Sequence, residues 1–259
     1  MTNECQPVMT HVADKLRVNV YEDRRAMGAA AAAQVGARLR ELLASKGQVR
    51  MVFAAAPSQD ELYQGLVQER GIDWSRITAF HMDEYIGLSE SAPQRFGNYL
   101  NDRLFSLVQP GRVELLDSTG SIEEECARYS AMLREGPIDI VCLGIGENGH
   151  IAFNDPPVAD FEDPRLVKAV ELDRACRQQQ VNDGCFPELE AVPTHAITLT
   201  IPALMSGEQL YGIVPGVKKR HAVQQTVHGP ITTACPASIL RTHPRATMYL
   251  DTDSFGQLG

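Results

Sequence analysis

Residues 144–155, with the sequence GIGENGHIAFND, contain the side chains that acid–base chemistry requires. His150 directly follows a glycine, and Asp155 lies five residues further on, close enough for its carboxylate to orient the imidazole. Asn148 and Asn154 flank the histidine. A lone histidine after glycines is more often structural, but this combination of neighbours favours a catalytic histidine.

The glycines of this segment, Gly144, Gly146 and Gly149, match the pattern G-x-G-x-x-G. That pattern alone is a weak signal for a dinucleotide site, and here it lies in the middle of the chain without an acidic strand end about 20 residues later. We therefore expect these glycines to let a ligand approach the backbone closely, and we do not expect a nicotinamide or flavin cofactor.

Asp83 and Glu84 form an adjacent pair of carboxylates after another apolar run. Successive side chains of an extended chain point to opposite sides, so one carboxylate can face a cleft while the other anchors the loop. A capping or solvated acidic pair is the alternative interpretation.

Two further segments have groups that can hold an anion. Ser58 and Gln59 stand at a predicted helix start, where free backbone N–H groups and a hydroxyl are available. The alternative is that Ser58 is a simple N-cap. Lys219, in the segment GVKKR at 216–220, can neutralise a phosphate, although clustered lysines are usually solvated.

These segments follow apolar stretches of strand length that alternate with longer amphipathic runs, a pattern typical of βαβ units in a mainly parallel sheet. In such a sheet ligands bind beyond the carboxyl ends of the strands, so the candidate residues should converge there. The predicted strands are residues 16–21, 49–56, 77–82, 112–116, 138–143, 196–201, 209–214 and 246–250. The predicted helices are residues 23–46, 59–70, 93–105, 122–134, 201–206 and 218–227.

The chain of 259 residues is predicted to be one α/β domain, 1–259, with a mainly parallel, Rossmann-like open sheet flanked by helices. Only residues 154–171, rich in Pro and Asp, break the rhythm of the pattern. We interpret them as a surface loop or lid and place the lid segment at about 156–185.

Composition excludes several classes of protein. Hydrophobic residues make up 44% and charged residues 22%, as in globular proteins that are neither disordered nor membrane-embedded. The net charge of −9, without a long basic run, disfavours nucleic acid as a partner. No stretch reaches 18 apolar residues and the N-terminus has no basic start followed by an apolar run, so neither membrane association nor secretion is expected.

The cysteines lack C-x-x-C spacing, which argues against a zinc ribbon and against a thioredoxin-type redox pair. They favour reduced thiols in a cytoplasmic protein. The cysteines are Cys5, Cys126, Cys142, Cys176, Cys185 and Cys235.

Several blocks in order resemble the glucosamine-6-phosphate deaminase (isomerase) family over about residues 16–253. The blocks are MDEYIGL at 82–88, GIGENGHIAFND at 144–155, GVKKRHAV at 216–223, SIL at 238–240 and HP at 243–244. The combination of DEY with NGHIAFN is specific. The related 6-phosphogluconolactonases share a histidine after glycines and an Asp-Glu pair, but differ after the histidine and lack the tyrosine.

The resemblance implies a parallel-sheet α/β fold of the sugar-phosphate isomerase type. It also implies that an amino sugar phosphate is converted to a ketose phosphate with release of ammonia, without metal or cofactor. Matched to the family motif, Asp83 is the base that carries the C2 proton to C1, His150 is the acid/base that opens the sugar ring, and Asp155 is its carboxylate partner. Asn148 completes this catalytic set. Substrate binding is assigned to Ser58, Gln59, Glu84, Gly149 and Lys219.

The chain departs from the family pattern at the groups expected to bind phosphate. Many members have Glu where Asp155 stands, and the family's Gly- and Thr-rich phosphate loop is here FAAAPSQ at 53–59. The family's lid arginine is absent from 178–182 (QQQVN), with Arg174 and Arg177 the nearest candidates to replace it. Lys219 matches the family's phosphate lysine. Allosteric activation is not expected.

Three functions remain open at this point. The first is deamination of glucosamine 6-phosphate to fructose 6-phosphate. The second is hydrolysis of a phosphorylated sugar lactone, and the third is a non-catalytic sugar-phosphate sensor. The joint presence of Asp83 and His150 argues against the sensor. A homo-oligomer is an open alternative to a monomer.

Overall fold

The computed structural model describes residues 6–256, which form eleven strands. In order they are β1 Met9–Ala13, β2 Leu16–Tyr21, β3 Val49–Phe53, β4 Ile77–His81, β5 Asp83–Tyr85, β6 Arg112–Glu114, β7 Ile140–Leu143, β8 Val167–Glu171, β9 His195–Leu199, β10 Gln209–Val214 and β11 Ala246–Asp251. Eight of them form a sheet in the order β1-β2-β11-β10-β7-β3-β4-β6, and the other three form a second sheet in the order β5-β9-β8. In the large sheet every pairing except β1 with β2 is parallel.

Helices connect the parallel strands. They are α1 Arg24–Ser45, α2 Asp60–Gln68, α3 Phe96–Leu100, α4 Ser106–Val108, α5 Ile122–Leu133, α6 Arg174–Asn182, α7 Ile201–Met205, α8 Arg220–His228 and α9 Thr252–Phe255. A π-helical turn, Asn101–Phe105, joins α3 to α4, and 3₁₀ turns at Pro57–Gln59 and Val217–Lys219 lead into α2 and α8. Asp23 caps α1 by accepting a hydrogen bond from the backbone N–H of Ala26.

The central strands are buried on both faces. In β3, Val52 packs in the core on one face of the sheet, whereas Met51 and Phe53 pack in the core on the other face beside α1 and α2. This follows from the two-residue period of a strand. The predicted mainly parallel α/β fold is therefore confirmed.

The second sheet is antiparallel and lies where the chain leaves β4. Only Met82 separates β4 from β5, and Asp83 at the start of β5 pairs with Thr198 of β9. The chain thus passes from the large sheet to the small one at the position of the acidic pair. Predicted strand 196–201 corresponds to β9, which belongs to this small antiparallel sheet and not to the parallel one.

The interpretation of residues 154–171 as an irregular loop or lid is wrong for their last part, because Val167–Glu171 is strand β8, paired with β9. Lys168 hides this strand from the sequence pattern, because a lysine is normally exposed. In the fold its side chain is buried, with 5% exposure. The ammonium of Lys168 lies 3.1 Å from Asp163 Oδ2 and donates to the carbonyl of Val158. Buried charges are tolerated when paired in this way.

Strand β1 is also absent from the sequence prediction, because Met9–Ala13 is a short edge strand in which the polar residues Thr10 and His11 are consecutive and break the apolar alternation. The other predicted strands and helices are present, with ends that differ by up to three residues. Among the described residues no helix has both the length and the apolar composition needed to cross a bilayer.

Candidate active site

A cleft opens at the carboxyl ends of β3, β4, β7 and β10, the edge at which the sequence predicts a site. It brings Ser58, Asp83, His150 and Lys219 together. The full lining is Ala54, Ala55, Ala56, Pro57, Ser58, Met82, Asp83, Phe96, Gly144, Ile145, Gly146, His150, Ala152, Phe153, Gln179, Gln180, Asp183 and Lys219.

Asp83 points into this cleft although it is only 6% exposed. Burial, and secondarily the negative charge of Glu84, raise the pKa of Asp83 well above its usual value. A carboxylate with a raised pKa is a stronger base than one in water, so the position suits proton abstraction near neutral pH.

Glu84 lies on the opposite side of the strand and does not line the cleft. Its carboxylate accepts hydrogen bonds from the backbone N–H groups of Phe96 at 3.1 Å and Gly97 at 3.0 Å, at the start of α3. Burial favours the neutral form of Glu84, but His81 and these two N–H groups outweigh it and lower the pKa. The expected alternation of the acidic pair is present, and the prediction that Glu84 binds substrate is corrected: it anchors the loop.

His150, Asn148 and Asp155 form a compact network behind the cleft. Asn148 Nδ2 donates to Asp155 Oδ1 at 2.8 Å, and Asn148 Oδ1 lies 2.8 Å from His150 Nδ1. His150 Nδ1 is also 3.0 Å from Asp155 Oδ1. The shorter carboxylate of Asp therefore reaches the imidazole, where many relatives of the resembled family have Glu.

The oxygens around His150 Nδ1 assign its protonation. Both neighbours of Nδ1 are acceptors, so Nδ1 carries a hydrogen in this network and Nε2 is left to accept or donate a proton in the cleft. Burial opposes ionisation of Asp155, but the charge and hydrogen bond of His150, with the Asn148 amide, lower the pKa of Asp155 below its usual value. The dyad can thus stabilise an imidazolium.

The glycines of this segment make room for protein side chains. A Cβ on Gly146 would lie 2.1 Å from His150 Cε1, so the imidazole packs directly on that backbone. Gly149 has φ +83°, and a Cβ there would lie 2.6 Å from the sulfur of Cys235. Gly149 does not line the cleft, so the prediction that it binds substrate is corrected: it forms the turn that presents His150.

At the other end of the cleft, Lys219 and Ser58 face the open space. Burial lowers the pKa of Lys219, while Asp183 and Glu147 act in the opposite direction. Within residues 6–256 no carboxylate oxygen lies within 4.0 Å of its ammonium. Gln59 does not line the cleft. It is fully buried, and its amide donates to Ser58 Oγ and to the carbonyl of Ile213.

Neither arginine proposed to replace the missing lid arginine lines the cleft. Arg177 donates to the carbonyls of Leu189 and Val192, which ties α6 to the following turn, and Arg174 is exposed. Helix α6 instead contributes Gln179 and Gln180.

Sequence reasoning also missed Asp183, Phe96 and Phe153 as lining residues. No local pattern marks Asp183 or Phe96. Phe153 stands inside the IAFN motif, which was a usable signal.

Comparison with known proteins gives a consistent result. The family model described as glucosamine-6-phosphate isomerases/6-phosphogluconolactonase matches residues 22–249. A glucosamine-6-phosphate deaminase from Lactobacillus delbrueckii subsp. bulgaricus is 35% identical over 224 residues, covering 85% of this chain and 93% of the relative. A glucosamine-6-phosphate deaminase from Listeria monocytogenes is 37% identical over 212 residues, covering 81% of this chain and 88% of the relative.

Solved structures agree. A monomeric glucosamine-6-phosphate deaminase superposes with a TM-score of 0.84 at 29% identity, covering 92% of this chain and 98% of the other. A 6-phosphogluconolactonase from Thermotoga maritima superposes with a TM-score of 0.75 at 21% identity, covering 92% and 100%, which is a likeness of fold alone.

We predict that Asp83→Asn stabilises the protein at pH 8. The folded-state pKa of Asp83 is raised above the unfolded value, so its favourable contribution exists at low pH and is lost as pH rises through the folded pKa. The neutral amide avoids that loss. Urea unfolding should give a higher midpoint for the variant at pH 8 and converging midpoints below about pH 4. An equal difference at both pH values would contradict the assignment.

Proposed function

This chain belongs to the family of glucosamine-6-phosphate isomerases and 6-phosphogluconolactonases, and we propose that it is a glucosamine-6-phosphate deaminase. The reaction converts glucosamine 6-phosphate and water to fructose 6-phosphate and ammonia. The observation that carries the proposal is a buried base, Asp83, in one cleft with the His150–Asn148–Asp155 network. The two groups supply the base and the acid/base that a deaminating isomerisation needs.

Asp83 performs the proton shift. In the open-chain substrate its carboxylate removes the C2 proton and returns it to C1. With one further proton moving from the amine nitrogen to O1, this converts the amino aldose to an imine of the ketose through an enolamine. Its burial excludes water, so the proton is held between the two carbon atoms. Addition of water to the imine at C2 and departure of the nitrogen then give the ketose and ammonia.

His150 opens the ring. Nε2 exchanges a proton between the C1 hydroxyl and the ring oxygen, and the imidazolium formed on the way is stabilised by Asp155. Asn148 holds both partners at hydrogen-bond distance and has no charge of its own. Its amide therefore orients the dyad without adding a second charge to it.

Lys219 and Ser58 bind the phosphate, and α6 acts as part of a lid. Among the described residues that line the cleft, Lys219 is the one lysine or arginine. The segment 156–185 includes β8 and α6, and α6 borders the cleft with Gln179 and Gln180. Gln179 accepts from the backbone N–H of Glu147 and donates to Asp183. The amide of Gln180 is therefore the one that donates to the substrate, without adding a net charge.

We place the protein in the cytoplasm, as a metal-independent enzyme with a hydrolase and isomerase reaction. The cysteines among the described residues are free thiols, as expected in a reducing compartment, and Cys5 lies outside those residues. The partner is a small-molecule amino sugar phosphate, with neither nucleic acid nor membrane. A homo-oligomer stays the alternative to a monomer, and light scattering distinguishes them.

The test is release of ammonia from glucosamine, glucosamine 6-phosphate and galactosamine 6-phosphate. We expect glucosamine 6-phosphate to give equal amounts of ammonia and fructose 6-phosphate, unchanged by a chelator. Rapid hydrolysis of 6-phosphogluconolactone without ammonia from any amino sugar would favour the lactonase. Binding of sugar phosphate without turnover would favour the sensor.

We predict that Gly146→Ala lowers kcat by about 10²- to 10⁴-fold, the typical contribution of an acid–base group. The added methyl group would occupy the position of the imidazole and displace His150. The matched control is Gly120→Ala, where a Cβ meets no atom within 4 Å, and its kcat should stay at the wild-type value. If both variants retain full activity, the placement of His150 on Gly146 does not matter for catalysis.

Lys219→Met should raise KM for the phosphorylated sugar by about 10- to 150-fold, since a charge-assisted contact contributes roughly 1.5 to 3 kcal/mol. Activity on the unphosphorylated sugar should hardly change. Lys218→Met is the control, because that neighbouring side chain is 52% exposed and contacts α6. An unchanged KM in Lys219→Met would mean that the phosphate is absent or is bound elsewhere.

A further inference from the structure

A buried thiol completes a set of three different donor groups behind the candidate active site. Cys176 of α6 is 1% exposed, and its sulfur, a ring nitrogen of His150 and a carboxylate oxygen of Asp155 all lie within 4.8 Å of one another. The three residues come from two separate parts of the chain, since α6 lies between β8 and β9 and His150 and Asp155 belong to the loop after β7. The proposed deaminase chemistry has no use for the thiol.

One oxygen of this set lacks a strong donor. Asp155 is 1% exposed; its Oδ1 accepts from Asn148, whereas its Oδ2 accepts from no N–H or O–H group of the described residues. The thiol of Cys176, a weak donor, is the group that stabilises this carboxylate from the side of α6. A buried carboxylate oxygen with so weak a partner is unfavourable, and such atoms often belong to a site that a ligand fills. Oδ2 is therefore available to a cation.

We propose that His150, Asp155 and Cys176 form an inhibitory binding site for Zn²⁺. An imidazole nitrogen, a carboxylate oxygen and a thiolate are all zinc ligands, whereas Ca²⁺ and Mg²⁺ prefer oxygen ligands throughout. Zinc bonds of about 2.0 to 2.3 Å in tetrahedral geometry leave the fourth position to water. Bringing atoms that lie within 4.8 Å to zinc-ligand spacing requires side-chain shifts of roughly 1 Å.

The cluster meets the active-site cleft at one of its members. His150 lines that cleft, whereas Asp155 and Cys176 lie behind it and are each 1% exposed. An ion that enters the cleft therefore reaches the imidazole first, without crossing the apolar core of the large sheet.

Binding would block the acid/base role of His150. A metal on Nδ1, the nitrogen that faces Asp155, takes the place of its hydrogen, and the neutral imidazole then carries its one proton on Nε2. Such an imidazole cannot accept a further proton, so it cannot act as the base in ring opening. This consequence rests on the proposed function, whereas the binding of the metal does not.

Charge also balances at this site. Zn²⁺ with one thiolate, one carboxylate and a neutral imidazole has no net charge, and the thiol proton is released to solvent. Burial, together with the nearby negative charge of Asp155, raises the pKa of Cys176 well above its usual value, so the free site holds a thiol. Among the described groups, Asp83, Asp155, Asp173, His150, Tyr85 and Lys219 act on this thiol.

The test uses the whole protein and Co²⁺ as a visible substitute for Zn²⁺. We expect a thiolate-to-cobalt charge-transfer band at one Co²⁺ per chain, removed by added Zn²⁺, with about one proton released per ion. In the deaminase assay, Zn²⁺ in tenfold excess should lower the rate at least tenfold, and a chelator should restore it.

Cys176→Ser should abolish the charge-transfer band and raise the Zn²⁺ concentration for half-inhibition at least 100-fold, each variant being compared with itself without metal. Cys185→Ala and Cys126→Ala remove half-buried thiols elsewhere, and both should behave as the wild type. Absence of the band in wild type would overturn the proposal even if Cys176→Ser does not fold. Persistence of the band in Cys176→Ser, or its loss in a control variant, would do so as well.

If the chain binds Co²⁺ with the expected band yet releases no ammonia from any amino sugar, the proposed function fails while the metal site stands. Zn²⁺ inhibition that Cys176→Ser leaves unchanged would mean that the metal acts through other residues, and the site would be given up.

Discussion

The site depends on the desolvation of two adjacent carboxylates that have opposite environments. Asp83 and Glu84 are both buried at the passage from β4 to β5, but only Glu84 receives backbone N–H groups that stabilise its charge. Successive side chains of a β-strand point to opposite sides. Glu84 therefore points toward the N–H groups of α3, whereas Asp83 faces the cleft, where no backbone N–H group of residues 6–256 donates to it. The result is an ionised anchor beside a strong base.

The second half of the site is fixed by close packing. The loop after β7 presents His150 with its ring against Gly146, while Asn148 and Asp155 fill the space on the Nδ1 side. Hydrogen bonds between these three side chains leave the imidazole little freedom. The orientation of the imidazole, with Nδ1 toward Asn148 and Asp155, therefore comes from protein contacts.

Helix α6 is a part of the cleft in which this chain departs from the pattern it resembles. It has amides where the family pattern has an arginine, and the guanidinium of Arg177 donates to the backbone carbonyls of Leu189 and Val192. The same helix places Cys176 beside Asp155. Both the sugar-phosphate contacts and the proposed metal sensitivity thus depend on how α6 packs over the loop after β7.

The sequence alone determined the fold class, most of the elements and the side chains that meet at the carboxyl edge of the sheet. The apolar run Ile140–Leu143 and the capped segment Arg24–Ser45 have local preferences for strand and for helix, and both form these elements in the structure. The strand ends could be located from these patterns, and the rule for open sheets then brought Asp83, His150 and Lys219 together. Such inferences depend only on neighbours along the chain.

Tertiary structure decided what depends on contacts between distant segments. Strand β8 depends on two contacts: buried Lys168 forms an ion pair with Asp163, and the strand pairs with β9. Neither contact can be read from the pattern of residues 167–171. Glu84 and Gly149 were assigned to substrate from sequence, but α3 and Cys235 engage them instead. The type of a residue limits what it can bind. The partner that it contacts is set by the packing of helices and sheets, because that packing determines which polar groups are buried next to one another.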